Sequence, residues 1–562
     1  MAAIKSDFSN PIKLVGAVTA SVLIKVWLVA GELMPFNSDE AVIALMARHI
    51  LHGARPIFFY GQAYMGSLDA FLVAAGFSLW GEQVWVIRLI QGLLYLGTLA
   101  TTAWLGRVVA GSWQVGVLAA WLLAIPTVNI TLYTTASLGG YGEALLLGNL
   151  ILLVGLRIAN PLSQWHTESV VKTNPHCKLL CLWAAWGFLA GLGLWVFGIT
   201  LVYSLPIGLY LSVLLWAKYK QQSRGERRAG LVWSIQALAL ASAGAVLGSA
   251  PWWLYAFQYG FSNLISELGG GAIAGAASSP WLVQIGQHLA YLLLLGITVI
   301  LGMRPPWSVQ WLGLPLLPFV LFFWVAVWVY TLKSLKQIPF QENPRLVLVG
   351  VILTLLAGLV LTPFGADPSG RYFLPLAAPL ALFAAEMILA LRKRAGFWAW
   401  GLALLLLGYN LWGTVQCVLQ TPPGITTQFD EITQVDHRDD PALIEFLRAN
   451  GESRGYGNYW LAYPLAFHSE EELIFVPRLP YHGDFRYTER DNRYTPYDEL
   501  VAQSDRVAYI TTLHPELDNH LRQELDGLGV AWQEAQVGNY HVFYRLSRAV
   551  RPEEMGLGMT RH

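Results

Sequence analysis

Two adjacent carboxylates, Asp39 and Glu40, follow directly on the first long apolar run of the chain. A carboxylate held just outside a bilayer can take the proton of an attacking hydroxyl. The same pair, with Ser38 as N-cap, would also suit the first turn of a helix, and both readings stand. Far downstream, Arg371-Tyr372 opens another apolar run. A guanidinium there matches phosphate geometry, or anchors the helix at an interface, and Arg88 carries the same two readings. Lys25 lies inside the first apolar run; an intramembrane charge is expected to serve function unless it snorkels outward. Tyr141 and Glu143 sit in LGGYGEALLLGN, whose glycines permit close approach of a ligand or a neighbouring helix. Glu143 otherwise reads as a helix-start carboxylate. Asp69 begins a short apolar helix, Arg48 shares a polar helix face with Glu40 and His52, and Tyr60 and Gln62 lie in an aromatic turn. The candidate catalytic residues are therefore Asp39 and Glu40. The candidate binding residues are Lys25, Arg48, Tyr60, Gln62, Asp69, Arg88, Tyr141, Glu143, Arg371 and Tyr372.

The elements that must position these residues are membrane helices. Of 562 residues 55% are apolar and only 13% charged, against about 25% charged in soluble domains. About a dozen stretches reach the length of roughly 20 apolar residues needed to cross a bilayer. Formal net charge is zero, which speaks against nucleic acid as a partner. The three cysteines cannot staple a chain of this size, and Cys177 and Cys181 beside His176 are too few for tetrahedral zinc. The 24 Trp and 24 Tyr suit interfacial belts. The first span lacks a small-residue cleavage site and is expected to be retained as an anchor.

Basic runs at Lys218–Arg228, Lys333–Arg345 and Arg392–Arg394 mark the cytoplasmic side. Three apolar stretches between the first two of these would place them on opposite sides. The charge rule therefore predicts an odd total, 11 or 13, with the stretch from Ile285 to Met303 broken around Arg304-Pro305-Pro306 or with a further span. The expected fold is an α-helical polytopic membrane protein with a small C-terminal extracytoplasmic α/β domain. Its parts are a membrane domain over 1–420 with a first outer loop over 32–83, the α/β domain over 421–548, and a flexible tail over 549–562. Within the first loop, 38–52 is expected to lie as an interfacial helix, and the helix from Ser67 is too short to span. In the outer domain, Arg454–Phe467 and Arg486–Tyr497 are rich in Tyr and Arg and suit either sugar stacking or seating on the membrane. Glu386 and His288 read as packing or cavity residues.

The segment Asn37–Arg88 resembles the first outer loop of GT-C glycosyltransferases, above all the Rgt-type and protein-mannosyltransferase-like group. Asp39-Glu40, Gly81, Trp85 and Arg88 stand in the order found there, with two juxtamembrane helices between them. The segment Ser369–Ala385, with Arg371, Tyr372, Leu374 and Pro375, resembles a late helix start of the same group. One departure is Met65-Gly66-Ser67, where many relatives carry Lys-Pro-Pro. The resemblance implies a glycosyltransferase of the plasma or inner membrane with a polyprenyl-phosphate sugar donor and an extracytoplasmic glycan, lipid or protein acceptor. Membrane lipid is a further partner, and Asp39 is the implied general base. No cofactor motif is present, and a divalent metal stays open. Two other classes compete. A transporter or lipid-linked-glycan flippase should show repeat-related halves and broken midplane helices, and no repeat is visible. A scaffold or sensor would leave the first loop free of convergent charges.

The charge pattern makes a direct prediction. With the native cysteines removed, a cysteine placed at Ser504 should react with an impermeant thiol reagent in intact cells, and one at Ser223 should not. Equal labelling of the two sites contradicts the orientation.

Overall fold

The computed structural model describes residues 2–163, 175–270, 280–367, 369–420, 424–485 and 487–558. The helices are α1 (Ala2–Ala30), α2 (Ser38–Leu51), α3 (Leu68–Trp80), α4 (Val84–Ala110), α5 (Trp113–Ala124), α6 (Val128–Tyr133), α7 (Tyr141–Ser163), α8 (Pro175–Val196), α9 (Leu201–Gln221), α10 (Arg224–Gly248), α11 (Ala250–Tyr259), α12 (Phe261–Leu268), α13 (Trp281–Tyr291), α14 (Ile297–Ile300), α15 (Leu317–Leu335), α16 (Arg345–Leu361), α17 (Ala377–Ala395) and α18 (Ala399–Val418). The domain beyond them adds α19 (Asp440–Asn450), α20 (Tyr459–His468), α21 (Thr495–Ala502) and α22 (Pro515–Gly527).

Among the described residues, nine stretches are long and apolar enough to cross a membrane, and the last of them, Arg371–Val418, folds as α17 and α18. The shorter α5 continues past Pro126 into α6, and α16 packs against α9. The stretch Trp281–Ile300 behaves differently. His288 Nδ1 lies 3.1 Å from the Val360 carbonyl at the end of α16, and a Cβ on Gly370, just before α17, would strike Val299. The Tyr409 hydroxyl then donates to the Gly302 carbonyl, and Gly313 N–H donates to the Gln416 side chain near the end of α18. Both flanks of this stretch thus meet the same end of the bundle, so it enters and returns. Arg304 secures the turn by donating to the carbonyls of Leu295, Pro305, Pro306 and Ser308. Non-helical backbone at membrane depth needs such internal partners. Ser38 and Asp39 of the first loop bond Tyr459 of the C-terminal domain, so the two lie at one end of the bundle.

Close helix packing in the bundle rests on small residues. A Cβ on Gly187 or Gly191 of α8 would strike the carbonyls of Ala241 or Ala245 in α10, and one on Gly244 or Gly248 would strike those of Ala184 or Phe188. Glycines four apart on both helices bring the backbones together where lipid offers no hydrophobic drive.

The C-terminal domain carries a five-stranded sheet in the order β4-β3-β5-β7-β6. Its strands are β3 (Arg454–Gly457), β4 (Ile474–Pro477), β5 (Ala508–Thr512), β6 (Gln533–Val537) and β7 (Tyr540–Tyr544), with β1 (Phe58–Phe59) and β2 (Gln62–Gly66) pairing separately in the first loop. β3 runs parallel to β4 and β5, joined to β4 through α20, while β7 is antiparallel to β5 and β6. Helix α19 ends at Gly451 in the left-handed conformation, as its sequence suggests. Residues 549–558, expected as a tail, are instead built into the domain, because Val550, Met555 and Leu557 are buried and the Tyr509 hydroxyl donates to the Val550 carbonyl. Residues 559–562 lie outside the described residues.

Helix α2 also departs from expectation. It does not lie on a lipid surface but is buried between α3 and α20. Its polar side is covered by the C-terminal domain, which Ser38, Arg48 and His49 reach.

Gly191→Leu should force α8 and α10 apart. Overpacking costs roughly 1–3 kcal/mol, and the obstacle here is backbone. A clear fall in melting temperature in detergent is expected; an unchanged melting curve contradicts this packing.

Candidate functional site

The N-terminus of α2 is fixed from two sides. Its N-cap is Asn37, whose side chain accepts from Glu40 N–H at 3.0 Å, and not Ser38. The Ser38 hydroxyl instead donates to the Tyr459 carbonyl at 2.5 Å, across the boundary to the C-terminal domain. Glu40 takes both Nε and Nη2 of Arg88 on α4, each at 3.0 Å, with both side chains buried. One residue back, about 100° around the helix, Asp39 faces the other way. Its Oδ1 accepts the Tyr459 hydroxyl at 2.5 Å, and no hydrogen bond among the described residues engages Oδ2. The adjacent carboxylates therefore have different tasks. Glu40 and Arg88, expected at the chemistry, form a structural pair, while Asp39 keeps one oxygen available.

A wall of tyrosines stands beside Asp39. Tyr64 on β2, Tyr133 at the end of α6, Tyr141 at the start of α7 and Tyr372 are all buried. The rings of Tyr133 and Tyr141 lie 5.2 Å apart, and Phe197 packs on Tyr141 and Tyr64. Among the described residues, the hydroxyls of Tyr141 and Tyr372 and the Nε of Arg371 are buried without a hydrogen-bond partner. Such orphaned groups in a native structure mark places where a ligand or water belongs. Arg371 forms an ion pair with Asp367, sits 5.0 Å from the Tyr372 ring centre, and remains 31% exposed. Its loop is pinned by Asn129, which donates to the Gly370 carbonyl at 3.1 Å. Gly370 takes a φ of 75°, and a Cβ there would strike Val299, so glycine is required.

The C-terminal domain closes the site. Arg493 lies 5.2 Å from the Tyr459 ring centre and 5.9 Å from that of Phe59. With its amide turned so that the oxygen faces the guanidinium, Gln62 accepts from Arg493. Burial raises the Tyr64 hydroxyl, while the nearby charges of Arg371 and Arg493 oppose that shift, and Asp39 and Asp367 reinforce it. Tyr64 thus lies within electrostatic reach of all four. Burial and the adjacent Asp39 carboxylate push Tyr459 well above the usual phenol range, so it stays a proton donor to Asp39. Burial raises Asp491 to about 6 against the pull of Arg493.

The remaining candidates fall outside this centre. Lys25 spends its ammonium on the Thr134 carbonyl at 2.5 Å and on the hydroxyls of Thr134 and Thr135 at 3.0 and 2.9 Å, over the Tyr95 ring. Arg48 and Tyr60 belong to a latch onto the domain. Arg48 binds Glu82 at 2.6 Å and the Phe467 carbonyl at 3.2 Å. Tyr60 stacks on Tyr494 at 4.7 Å and bonds His49, which reaches Glu471 at 3.0 Å. Although burial pushes Glu471 up, His49 and Tyr497 hold it at about 2. Asp69 is buried and accepts from Gln91 at 2.9 Å and from Ser137; burial raises it to about 6. The neighbouring Glu143 carboxyl lies within hydrogen-bonding reach of Asp69. Glu386 pairs with Arg345 at 2.9 Å, in keeping with a packing role. Among the described residues no three His, Cys, Asp or Glu side chains converge as metal ligands. Tyr64, Tyr133, Asp367, Tyr459, Asp491 and Arg493 were not singled out from sequence. The Tyr- and Arg-rich runs around Tyr459 and Arg493 were the available signal.

No family model and no curated protein matches the sequence. Solved structures do match. ArnT from Cupriavidus metallidurans in the apo state aligns at TM-score 0.54 and 14% identity, covering 94% of this chain and 98% of that one. The apo Archaeoglobus fulgidus oligosaccharyltransferase aligns at TM-score 0.52 and 13% identity over 90% of this chain and 69% of that one. The same oligosaccharyltransferase, tethered by a disulfide to an acceptor peptide containing the NVT sequon, aligns at 0.50 and 12% over 95% and 74%. The chain has the GT-C fold. Asp39 of the first loop and Arg371 both act electrostatically on Tyr64, at the end of the bundle where α20 of the C-terminal domain packs on α2.

The two kinds of charge are separable by experiment. Removing one partner of a buried pair costs about 3–5 kcal/mol, so Arg88→Ala and Glu40→Gln should each lower the melting temperature sharply. Arg371→Ala, at a partly exposed site, should lower it little. Equal melting for all three contradicts the assignment.

Proposed function

We propose that this protein is a glycosyltransferase of the plasma or inner membrane. It moves a sugar from a polyprenyl-phosphate donor to a hydroxyl of an extracytoplasmic glycan, lipid or protein, with Asp39 as general base. The observation that carries this reading is the Asp39 carboxylate itself. One oxygen is tied to Tyr459 and the other is unengaged, beside a tyrosine-lined site whose Tyr64 feels the charges of Arg371 and Arg493. The GT-C fold supports it, since the solved structures of that fold include an oligosaccharyltransferase.

In the proposed reaction the acceptor oxygen forms a bond to C1 of the sugar while its proton passes to Asp39. The bond from C1 to the phosphate oxygen breaks, and its electron pair leaves with the prenyl phosphate. Arg371 offers the positive charge that stabilises this leaving group. Tyr459 holds the carboxylate in one orientation, so that positioning is complete before the acceptor arrives. The apolar lipid tail lies among the membrane helices below the Arg371 loop.

Asp39→Asn is the decisive variant. The amide oxygen still accepts from Tyr459, so the fold and donor binding should persist. The amide cannot take a proton, and turnover with a polyprenyl-phosphate sugar in nanodiscs should fall by about 10²–10⁴-fold. A fully active, normally melting Asp39→Asn protein removes Asp39 from the mechanism.

A further inference from the structure

Several arginines of the bundle and of the domain are paired with acids. Arg48, Arg88, Arg345, Arg371, Arg478 and Arg490 each form an ion pair with a carboxylate. Arg493 does not: among the described residues its guanidinium meets the neutral Gln62 amide and two aromatic faces, and its Nε is buried with no partner. It is nonetheless held firmly. Its backbone N–H donates to the Tyr463 hydroxyl at 2.5 Å, and the next residue, Tyr494, stacks on Tyr60 of the first loop. Asp39 and Asp491 act on it through space but neither forms an ion pair with it, so a cation fixed by its backbone keeps its buried Nε open for an anion.

We propose that Arg493, on the C-terminal domain, is a second phosphate-binding residue that faces Arg371 across the Tyr64 hydroxyl, so that the domain completes the donor site. This rests on the donor reading above. A prenyl-phosphate sugar is a phosphodiester with one negative charge, and the departing prenyl phosphate carries up to two. Arg371 is already partly offset by Asp367. Arg493 supplies the second positive charge as the bond from C1 to oxygen breaks, and its fork can bind two phosphate oxygens at once. Its grip therefore tightens on the leaving group more than on the intact donor.

The test uses the full-length protein in nanodiscs, with undecaprenyl phosphate and uncharged undecaprenol as probes. The parent should bind the phosphate, and Arg493→Gln should bind it roughly tenfold or more weakly while binding undecaprenol as the parent does. Arg493→Lys, which keeps charge without the fork, should fall between them. Should Arg493→Gln melt well below the parent, the lysine variant carries the comparison, and its binding the phosphate like the parent overturns the proposal. A folded Arg493→Gln protein that binds undecaprenyl phosphate like the parent, while Arg371→Gln loses it, also overturns the proposal and leaves the donor reading intact. A parent with no affinity for undecaprenyl phosphate overturns the donor reading and this one together.

Discussion

The site depends on one buried ion pair. Glu40 and Arg88 join the first turn of α2 to the first turns of α4, and both side chains are buried. Two charges out of water are costly unless geometry and further hydrogen bonds are good. Here the guanidinium is bidentate on the carboxylate and also donates to the Pro35 carbonyl at 3.3 Å. Such a pair contributes less to net stability than to uniqueness of position. It sets the rotation of α2, and that rotation turns Asp39 away from the bundle and toward Tyr459.

The second constraint is the seating of the C-terminal domain. Asp39 and Ser38 are both bonded to Tyr459, and Arg48 and His49 reach Phe467 and Glu471 from the same helix. Every one of these contacts uses α2, so the helix that carries the candidate base is also the platform for the domain. Phe36 and Phe77 pack on Phe467 to seal the joint. The domain is therefore part of the wall of the site and not an appendage to the membrane bundle. Loss of its seat would expose Asp39 on one side and remove Arg493 from the other.

Much of the architecture is legible in the sequence because it follows from local composition. Apolar length marks the spans, and the basic loops demand an odd number of them. At Arg304-Pro305-Pro306 the chain turns, and the arginine takes up the carbonyls of both prolines. Asp39 and Arg371 also stand out locally, each beside an apolar run. What escapes is whatever depends on distant pairing. The partner of Asp39 lies 420 residues away, and that of Arg88 lies 48 residues before it on a different helix. Adjacent acids such as Asp39 and Glu40 look equivalent until a partner separates them. Helix α2 reads as interfacial because its polar face is visible in sequence while the domain that covers that face is not. Residues 549–558 look like a tail because their few apolar side chains carry no period, although each fills a place in the domain.

In the proposed reaction this chain consumes a lipid-phosphate sugar at a site outside the bilayer. Mass spectrometry of envelope glycans and polyprenyl-phosphate sugars, in cells with and without the protein, measures both sides of that reaction at once. Loss of the protein should leave one glycan, lipid or protein short of a sugar and make a polyprenyl-phosphate sugar accumulate, both reversed when the chain is restored. Identical glycan and lipid profiles in the two kinds of cell would contradict it.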